Sequence, residues 1–210
     1  MGRYFVIIFL FGFQLLNAQV RYGIVGGINF PFVRSDFSNI RSLPVDKGGT
    51  NMLLGFKAAK NFGDNITLQT GLSTYKTGLT YSEYNGFYGV EFDQFNVSNV
   101  VSLPFNLFYN FIPKDEFGDL DLNFTASLGI GVYGSYLLSG KITDEDGNVT
   151  KATYGNMKRF DSGVSFIGKV TTFNHFDVIV SYHLGLSNLL KSGTGNLSFD
   201  ALFMGVAYTF

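Results

Sequence analysis

The chain has 210 residues, a formal net charge of −1, 15% charged residues and 17% aromatic residues. Soluble domains carry about 25% charged residues, so this composition requires an apolar surrounding or a very large core. The near-neutral charge excludes a global field that would recruit nucleic acid. The lack of cysteine excludes disulfides and thiolate catalysis. No 18-residue apolar run follows the first segment, so we expect a membrane protein made of strands.

The first segment of the chain has the parts of a secretory signal peptide. Arg3 supplies the positive charge, Tyr4 to Phe13 form the apolar region, and Ala18 closes the cleavage site. The apolar region is too short to cross a bilayer as a helix. We expect residues 1–18 to be a signal peptide and residues 19–210 to form one exported domain.

The rest of the chain alternates between bulky apolar residues and small or polar ones, most clearly from Leu120 to Ser139. Alternation with period two indicates strands whose two faces meet different surroundings. Eight such segments are present: Tyr22–Val33, Asn51–Asn61, Ile66–Tyr81, Val97–Phe111, Leu120–Ser139, Arg159–Phe173 and two that begin near Val178 and Ala201.

The polar face of these segments is mostly Gly, Ser, Thr and Asn, with few charges. Small residues suit the crowded inside of a narrow barrel, and bulky apolar residues suit lipid. A closed barrel also leaves no backbone edge unpaired in hydrocarbon. The sequence therefore predicts an all-β fold, an eight-stranded antiparallel up-and-down transmembrane β-barrel. A secreted sandwich is the alternative.

The predicted connections alternate between long and short. Bacterial barrels have short periplasmic turns and longer outward loops, so both chain ends are expected on the periplasmic side. Gly63, Asp64 and Asn65 are residues that tolerate a tight turn. The expected long connections are Arg34–Thr50, Ser82–Asn96, Thr143–Lys158 and Lys191–Leu197, and the short ones are Phe62–Asn65, Pro113–Asp119 and Asn174–Phe176.

Several motifs together resemble the PorT-like outer-membrane barrel family of Bacteroidetes. They are YGIVGGINF, SLPFNLFYNF, RFDSGVSFIGKV, SYHLGLSNL and the terminal GVAYTF, and the similarity covers Tyr22 to Phe210. The resemblance implies an eight-stranded barrel in the Gram-negative outer membrane. Its namesake assists secretion by the type IX route. The terminal Tyr208 and Phe210 resemble the signal read by the barrel-assembly machinery.

Alternation places Lys57, Asp161, Lys169 and His183 on the inward face. A charge inside a narrow barrel must be paired or hydrated. We expect a polar network in which Asp161 offsets one or both lysines, and Asp177 and Asp121 lie inward near the periplasmic rim. A selective pore lining is the alternative, although eight strands leave an interior filled by side chains.

Two patterns could suggest chemistry, and both have simpler interpretations. Gly129, Gly131 and Gly134 fit the G-x-G-x-x-G spacing, but a dinucleotide site needs a helix after it, so lumen spacing and strand curvature are favoured. His183 shares its strand with Ser181 and Ser187, as a lipid hydrolase could require, but no third orienting residue is identifiable. We expect no catalytic, metal or cofactor site.

The outward segment Tyr81–Phe95 is rich in aromatic residues, which dominate binding hot spots. Its candidates for partner binding are Tyr81, Tyr84, Phe87, Tyr88 and Phe92. The alternative is that the strands extend above the membrane and these rings belong to the girdle or pack together. Asp144 to Asn148 is expected to be a hairpin tip, not a calcium loop.

The leading functional hypothesis is a non-enzymatic scaffold or accessory barrel that assists protein export. Its expected partners are outer-membrane lipid, the assembly machinery and a larger outer-membrane protein complex. The alternatives are a small pore, an adhesion barrel that uses the aromatic segment, and a lipid-modifying enzyme built around His183.

Overall fold

The computed structural model describes residues 20–37, 50–63, 65–84, 91–111, 124–143, 149–151, 158–173, 175–189 and 195–210. The expected signal peptide lies outside these residues. In the described ranges, no helix is long and apolar enough to span a bilayer.

The described residues form nine β-strands. Eight of them are long, and β6 has only three residues. The strands are β1 (Val20–Phe37), β2 (Asn51–Phe62), β3 (Ile66–Tyr84), β4 (Glu91–Phe111), β5 (Phe124–Thr143), β6 (Val149–Lys151), β7 (Phe160–Thr172), β8 (Phe176–Gly185) and β9 (Gly195–Thr209).

The eight long strands close into one antiparallel barrel in up-and-down order. The first and last strands pair from Gly23↔Thr209 to Phe37↔Gly195, and this pairing closes the sheet. The short β6 pairs only with the end of β5, in a hairpin that starts at Thr143↔Val149. The predicted eight-stranded barrel is therefore confirmed, and the hairpin encloses the expected tip, whose residues 144–148 lie outside the described ranges.

Side chains on the two faces of the barrel differ as the alternation predicted. On β5, Leu128, Ile130 and Val132 are exposed on the outside, whereas Ser127 and Ser135 are buried inside. Most of the exposed large apolar side chains in the described ranges follow this outward register. A surface of this kind is stable against acyl chains and would be unstable in water.

Aromatic side chains gather on the outside at the end of the barrel that carries the short turns. The Tyr109 and Phe111 ring centroids lie 5.0 Å apart, and Tyr208 packs at 5.0 Å from Phe176 and at 5.7 Å from Phe210. Girdles of this kind mark the membrane–water interface in bacterial barrels. The residues of the expected assembly signal therefore lie in a girdle.

The connections agree only in part with the prediction. The β2–β3 turn is short, and its Gly63 has φ 67°. The segment Ser82–Asn96, expected as a long loop, is mostly strand, because β3 and β4 stay paired up to Tyr84↔Glu91. Alternation weakens there because strands that leave the bilayer no longer separate lipid from lumen. The expected turn Pro113–Asp119 lies outside the described residues.

Candidate functional site in the barrel interior

An ion pair crosses the interior near the turn end of the barrel. The Lys57 ammonium donates to Asp177, and both residues are almost fully buried, at 5% and 3% exposure. Thr171 Oγ1 donates to the other Asp177 oxygen at 2.7 Å. The Lys57 side chain passes beside Gly23 of β1, where a Cβ atom would lie only 2.7 Å from Lys57 Cε. Glycine at this position thus leaves room for the lysine.

The other two charged residues of the expected network have different neighbours. Lys169 Nζ lies 4.5 Å from the centre of the Phe108 ring, a cation–π contact. Asp161 accepts a long hydrogen bond of 3.4 Å from the Tyr133 hydroxyl. Among the described residues, no ion pair joins Asp161 to either lysine. The structure thus places Asp177, and not Asp161, against Lys57; sequence reasoning had put Asp177 at this rim but could not assign its partner.

A chain of hydrogen bonds fills the turn end below this ion pair. Ser127 donates to Asn110, Asn110 to Thr67, and Thr67 to Asn61, each at 2.9 Å. Arg21 also donates to Asn61 at 2.9 Å. The chain connects β5 with β1 by way of β4, β3 and β2. These hydrogen-bonded side chains occupy the space that a solute would need to pass along this wall.

The glycines of the G-x-G-x-x-G pattern lie inside β5, with no helix after them. Ser165 donates to Asn106 Oδ1 at 3.0 Å across Gly131, where a Cβ atom would lie 2.0 Å from that oxygen. The Phe108 ring covers Gly129 in the same way. Two of the glycines therefore provide lumen space, as expected, whereas Gly134 contacts only the Phe160 ring, at 3.4 Å.

Four rings form a continuous layer across the middle of the lumen, which we call the aromatic layer. Tyr75 meets Phe203 at 5.1 Å, Phe203 meets His183 at 4.4 Å, and His183 stacks on Tyr133 at 4.8 Å between ring centroids. The rings come from β3, β9, β8 and β5, so the contacts cross the interior. Sequence reasoning found His183 but missed the three rings, which interrupt an otherwise small and polar face.

His183 does not form the serine pair that a hydrolase would need. Its Nδ1 atom is buried without a hydrogen-bond partner. Ser187 instead lies 2.9 Å from Ser162 through their hydroxyls. The position of His183 in the ring layer suits packing.

On the turn side of the aromatic layer lies a cavity of about 100 Å³. Its wall on β9, β1, β2 and β3 carries inward glycines, so the wall is thin there. Its polar lining comes from Lys57, Gln69, Asn106 and Ser181. A space of this size with polar partners is suited to a few water molecules.

At the loop end, Asp200 joins three strands. It accepts hydrogen bonds from Gly185 N at 2.9 Å and from the Tyr182 hydroxyl at 3.2 Å. Arg34 Nη2 lies 3.7 Å from the same carboxylate and donates to Gly185 O at 2.6 Å. Arg34 and Tyr182 follow the outward register of their strands, whereas Asp200 is 6% exposed, so this cluster ties β1, β8 and β9 together around a buried carboxylate.

The residues proposed for partner binding are placed only in part. Tyr81, Tyr84 and Phe92 belong to the paired extensions of β3 and β4. Phe87 and Tyr88 lie outside the described residues. In the part of the chain that the structure describes, no group of three or more metal-ligating residues comes together.

No family model matches the sequence, and no curated protein matches it. Solved structures do match. A major outer membrane protein of Thermus thermophilus is 13% identical, with 91% of this chain and 99% of that chain covered and a TM-score of 0.50. The outer membrane protein OprG of Pseudomonas aeruginosa is 12% identical, with 90% and 95% covered and a TM-score of 0.49.

At such low identity, these likenesses concern the fold alone. The closed eight-stranded sheet, its apolar exterior and its aromatic girdle add the surface chemistry that lipid requires. The chain is an integral outer-membrane β-barrel.

Proposed function

We propose that this barrel is a non-enzymatic, non-conducting scaffold or accessory component of a larger outer-membrane complex. The observation that carries the proposal is the aromatic layer, which fills the lumen between β3 and β5. If the interior of a barrel is packed, its outer wall and its loops are the surfaces that can bind a partner. Interiors of eight-stranded barrels are in general just wide enough for side chains to fill.

The surroundings of His183 argue against an enzyme. A serine nucleophile needs a base within hydrogen-bond reach, and Ser187 is bonded to Ser162 instead. Several polar groups of the interior are bonded to one another, as Asn110 is to Thr67 and Ser127 and as Asn106 is to Ser165, in the way that structural networks are.

The process that we propose is protein export. Its support is the resemblance of the whole strand region to PorT-like barrels, whose namesake assists secretion by the type IX route. The paired extension of β3 and β4 beyond the barrel supplies a surface for a partner, since its backbone order is kept up to Tyr84↔Glu91. In the sequence, Phe87 and Tyr88 follow the last paired residue of β3.

Affinity isolation in mild detergent tests this proposal. The tag is placed after residue 19, so that the last strand stays unaltered. The wild type should co-purify with a larger outer-membrane complex, and a variant with residues 85–90 replaced by a two-residue Asn-Gly turn should lose it. The matched control replaces residues 144–148, the tip of the β5–β6 hairpin, and should keep the complex. Isolation of the wild-type barrel alone would contradict the proposal.

A further inference from the structure

A second, smaller cavity lies on the loop side of the aromatic layer. It measures about 20 Å³, and we call it the loop-end chamber. Space of about 10–15 Å³ already holds one water molecule, so the chamber accommodates one small occupant. Its oxygen-bearing lining side chains include Tyr75, Thr77, Tyr133, Ser135 and Asp161.

Asp161 lacks the partners that a buried carboxylate requires. It is 5% exposed, and its Oδ1 atom has no hydrogen-bond partner. Among the described residues, no ion pair involves Asp161, and Arg34 at this end is held by Asp200 and Gly185. Asp200 also lines the chamber, but both of its oxygens are already bonded. An ionised carboxylate left in this state is strongly destabilising unless a proton neutralises it or a positive charge joins it.

We propose that the loop-end chamber binds a single alkali-metal cation, with Asp161 as its anionic ligand. Three features support this occupant. One carboxylate without a counterion calls for one positive charge. Tyr75, Thr77, Tyr133 and Ser135 carry hydroxyls, and hard cations prefer oxygen ligands. The volume admits one ion without a hydration shell.

The features of the site distinguish it from a divalent-cation site. Ca²⁺ takes six to eight oxygen ligands, commonly with several carboxylates. The described residues around Asp161 include no cluster of three or more acidic or histidine side chains. The aromatic layer, with His183 at the boundary of both cavities, separates the chamber from the larger one. The ion therefore reaches Asp161 from the loop end.

The test measures thermal unfolding of the full-length folded barrel in detergent micelles by circular dichroism. The pH and ionic strength are fixed while NaCl replaces N-methylglucamine chloride stepwise, so that screening does not change. The Tm of the wild type should rise saturably, by on the order of 3 °C, because a ligand that binds only the folded state stabilises it.

Two variants locate the site. The Tm of Asp161→Asn should not depend on Na⁺, whereas Lys57→Met/Asp177→Asn, which removes the buried ion pair on the turn side of the aromatic layer, should keep the response. A wild-type Tm that does not change with Na⁺ would overturn the proposal. Protonation would then be the explanation for the buried Asp161 carboxyl. A response that survives in Asp161→Asn, or a larger one to Ca²⁺ than to Na⁺, would overturn it as well.

A second measurement applies if Asp161→Asn does not fold. Micelles with the wild-type barrel should broaden the ²³Na resonance relative to empty micelles. Ser135→Ala removes one hydroxyl of the chamber and should reduce this broadening. Equal line widths with wild-type and empty micelles would count against the site.

Discussion

Lys57 and Asp177 are joined across the barrel interior, although β1 and β9 lie between their strands and 120 residues separate them in the chain. The pair therefore links two parts of the wall that share no backbone hydrogen bonds. Its formation requires the closed barrel, because an open sheet would hold the two strands apart.

Removal of one partner of this pair should destabilise the barrel strongly. Lys57→Met leaves the Asp177 charge buried with one hydrogen bond, from Thr171, and with Lys169 acting only through its charge, at an expected cost of about 3–5 kcal/mol in the free energy of unfolding. The double variant Lys57→Met/Asp177→Asn should recover most of this loss. Urea unfolding in micelles gives all the values, and additive losses in the double variant would contradict a coupled pair.

Substitutions at two glycines of β5 should differ sharply. Gly131→Ala places a Cβ atom 2.0 Å from Asn106 Oδ1, so the bond between Asn106 and Ser165 must break or the strand must shift. We expect a loss of about 1–3 kcal/mol. Gly134→Ala meets only the Phe160 ring at 3.4 Å and should change stability by less than about 1 kcal/mol. Equal losses in urea unfolding would show that the inward position of Gly131 does not determine the loss of stability.

A charge placed on the outer wall tests the contact with lipid. Val132 is 56% exposed in the middle of β5. In water, Val132→Lys would be nearly neutral, whereas a lysine at the bilayer midplane costs about 2–4 kcal/mol. Leu186→Lys, at the loop end, is the control and should cost about 0–1 kcal/mol. Unfolding in lipid vesicles measures both, and a tolerated Val132→Lys would argue against acyl chains at this face.

The aromatic layer should keep the wild-type barrel silent in planar bilayers. The double variant His183→Ala/Phe203→Ala removes two of its four rings and should give resolved conductance steps, since it joins the two cavities that the layer separates. Tyr208→Ala, which removes an aromatic ring from the exterior girdle, should stay silent. Steps from the wild type would favour the pore hypothesis over the scaffold.

The two short turns offer a test of backbone strain. Phe173 has φ 50° and takes a left-handed conformation like that of Gly63, although it has a Cβ atom. A side chain in this region costs roughly 1–2 kcal/mol. Phe173→Gly should therefore raise the free energy of unfolding in micelles by about 1 kcal/mol, and Gly63→Ala should lower it by a similar amount. Stabilisation by both changes would contradict the assigned turn geometry.

The fold could be predicted because lipid and lumen impose opposite preferences on alternate residues. Leu128 and Ser127 differ in polarity for this reason. The alternation can be recognised in the sequence without knowing which strands pair. The inward position of Lys57, Asp161 and Lys169 follows from the same rule. The tight turn at Gly63 could also be predicted, because it depends on the residue types at the turn itself.

The partners inside the barrel could not be predicted. Whether Lys57 meets Asp161 or Asp177 depends on the stagger of strands around the whole barrel, which no local pattern records. The contact of Phe203 with both Tyr75 and His183 likewise joins distant parts of the chain. The length of the β3–β4 extension was missed because, outside the bilayer, both faces of a strand meet similar surroundings.

The β3–β4 ladder continues for nine residues from Tyr75 in the aromatic layer to Tyr84, which is about 30 Å along the strand. With the short turns toward the periplasm, as in bacterial barrels, the Tyr84↔Glu91 end of this ladder lies on the outer side of the membrane. A large molecule that approaches from outside would touch its tip before it reached the lipid headgroups. Recognition could then take place at a distance from the membrane, while the barrel below serves as an anchor.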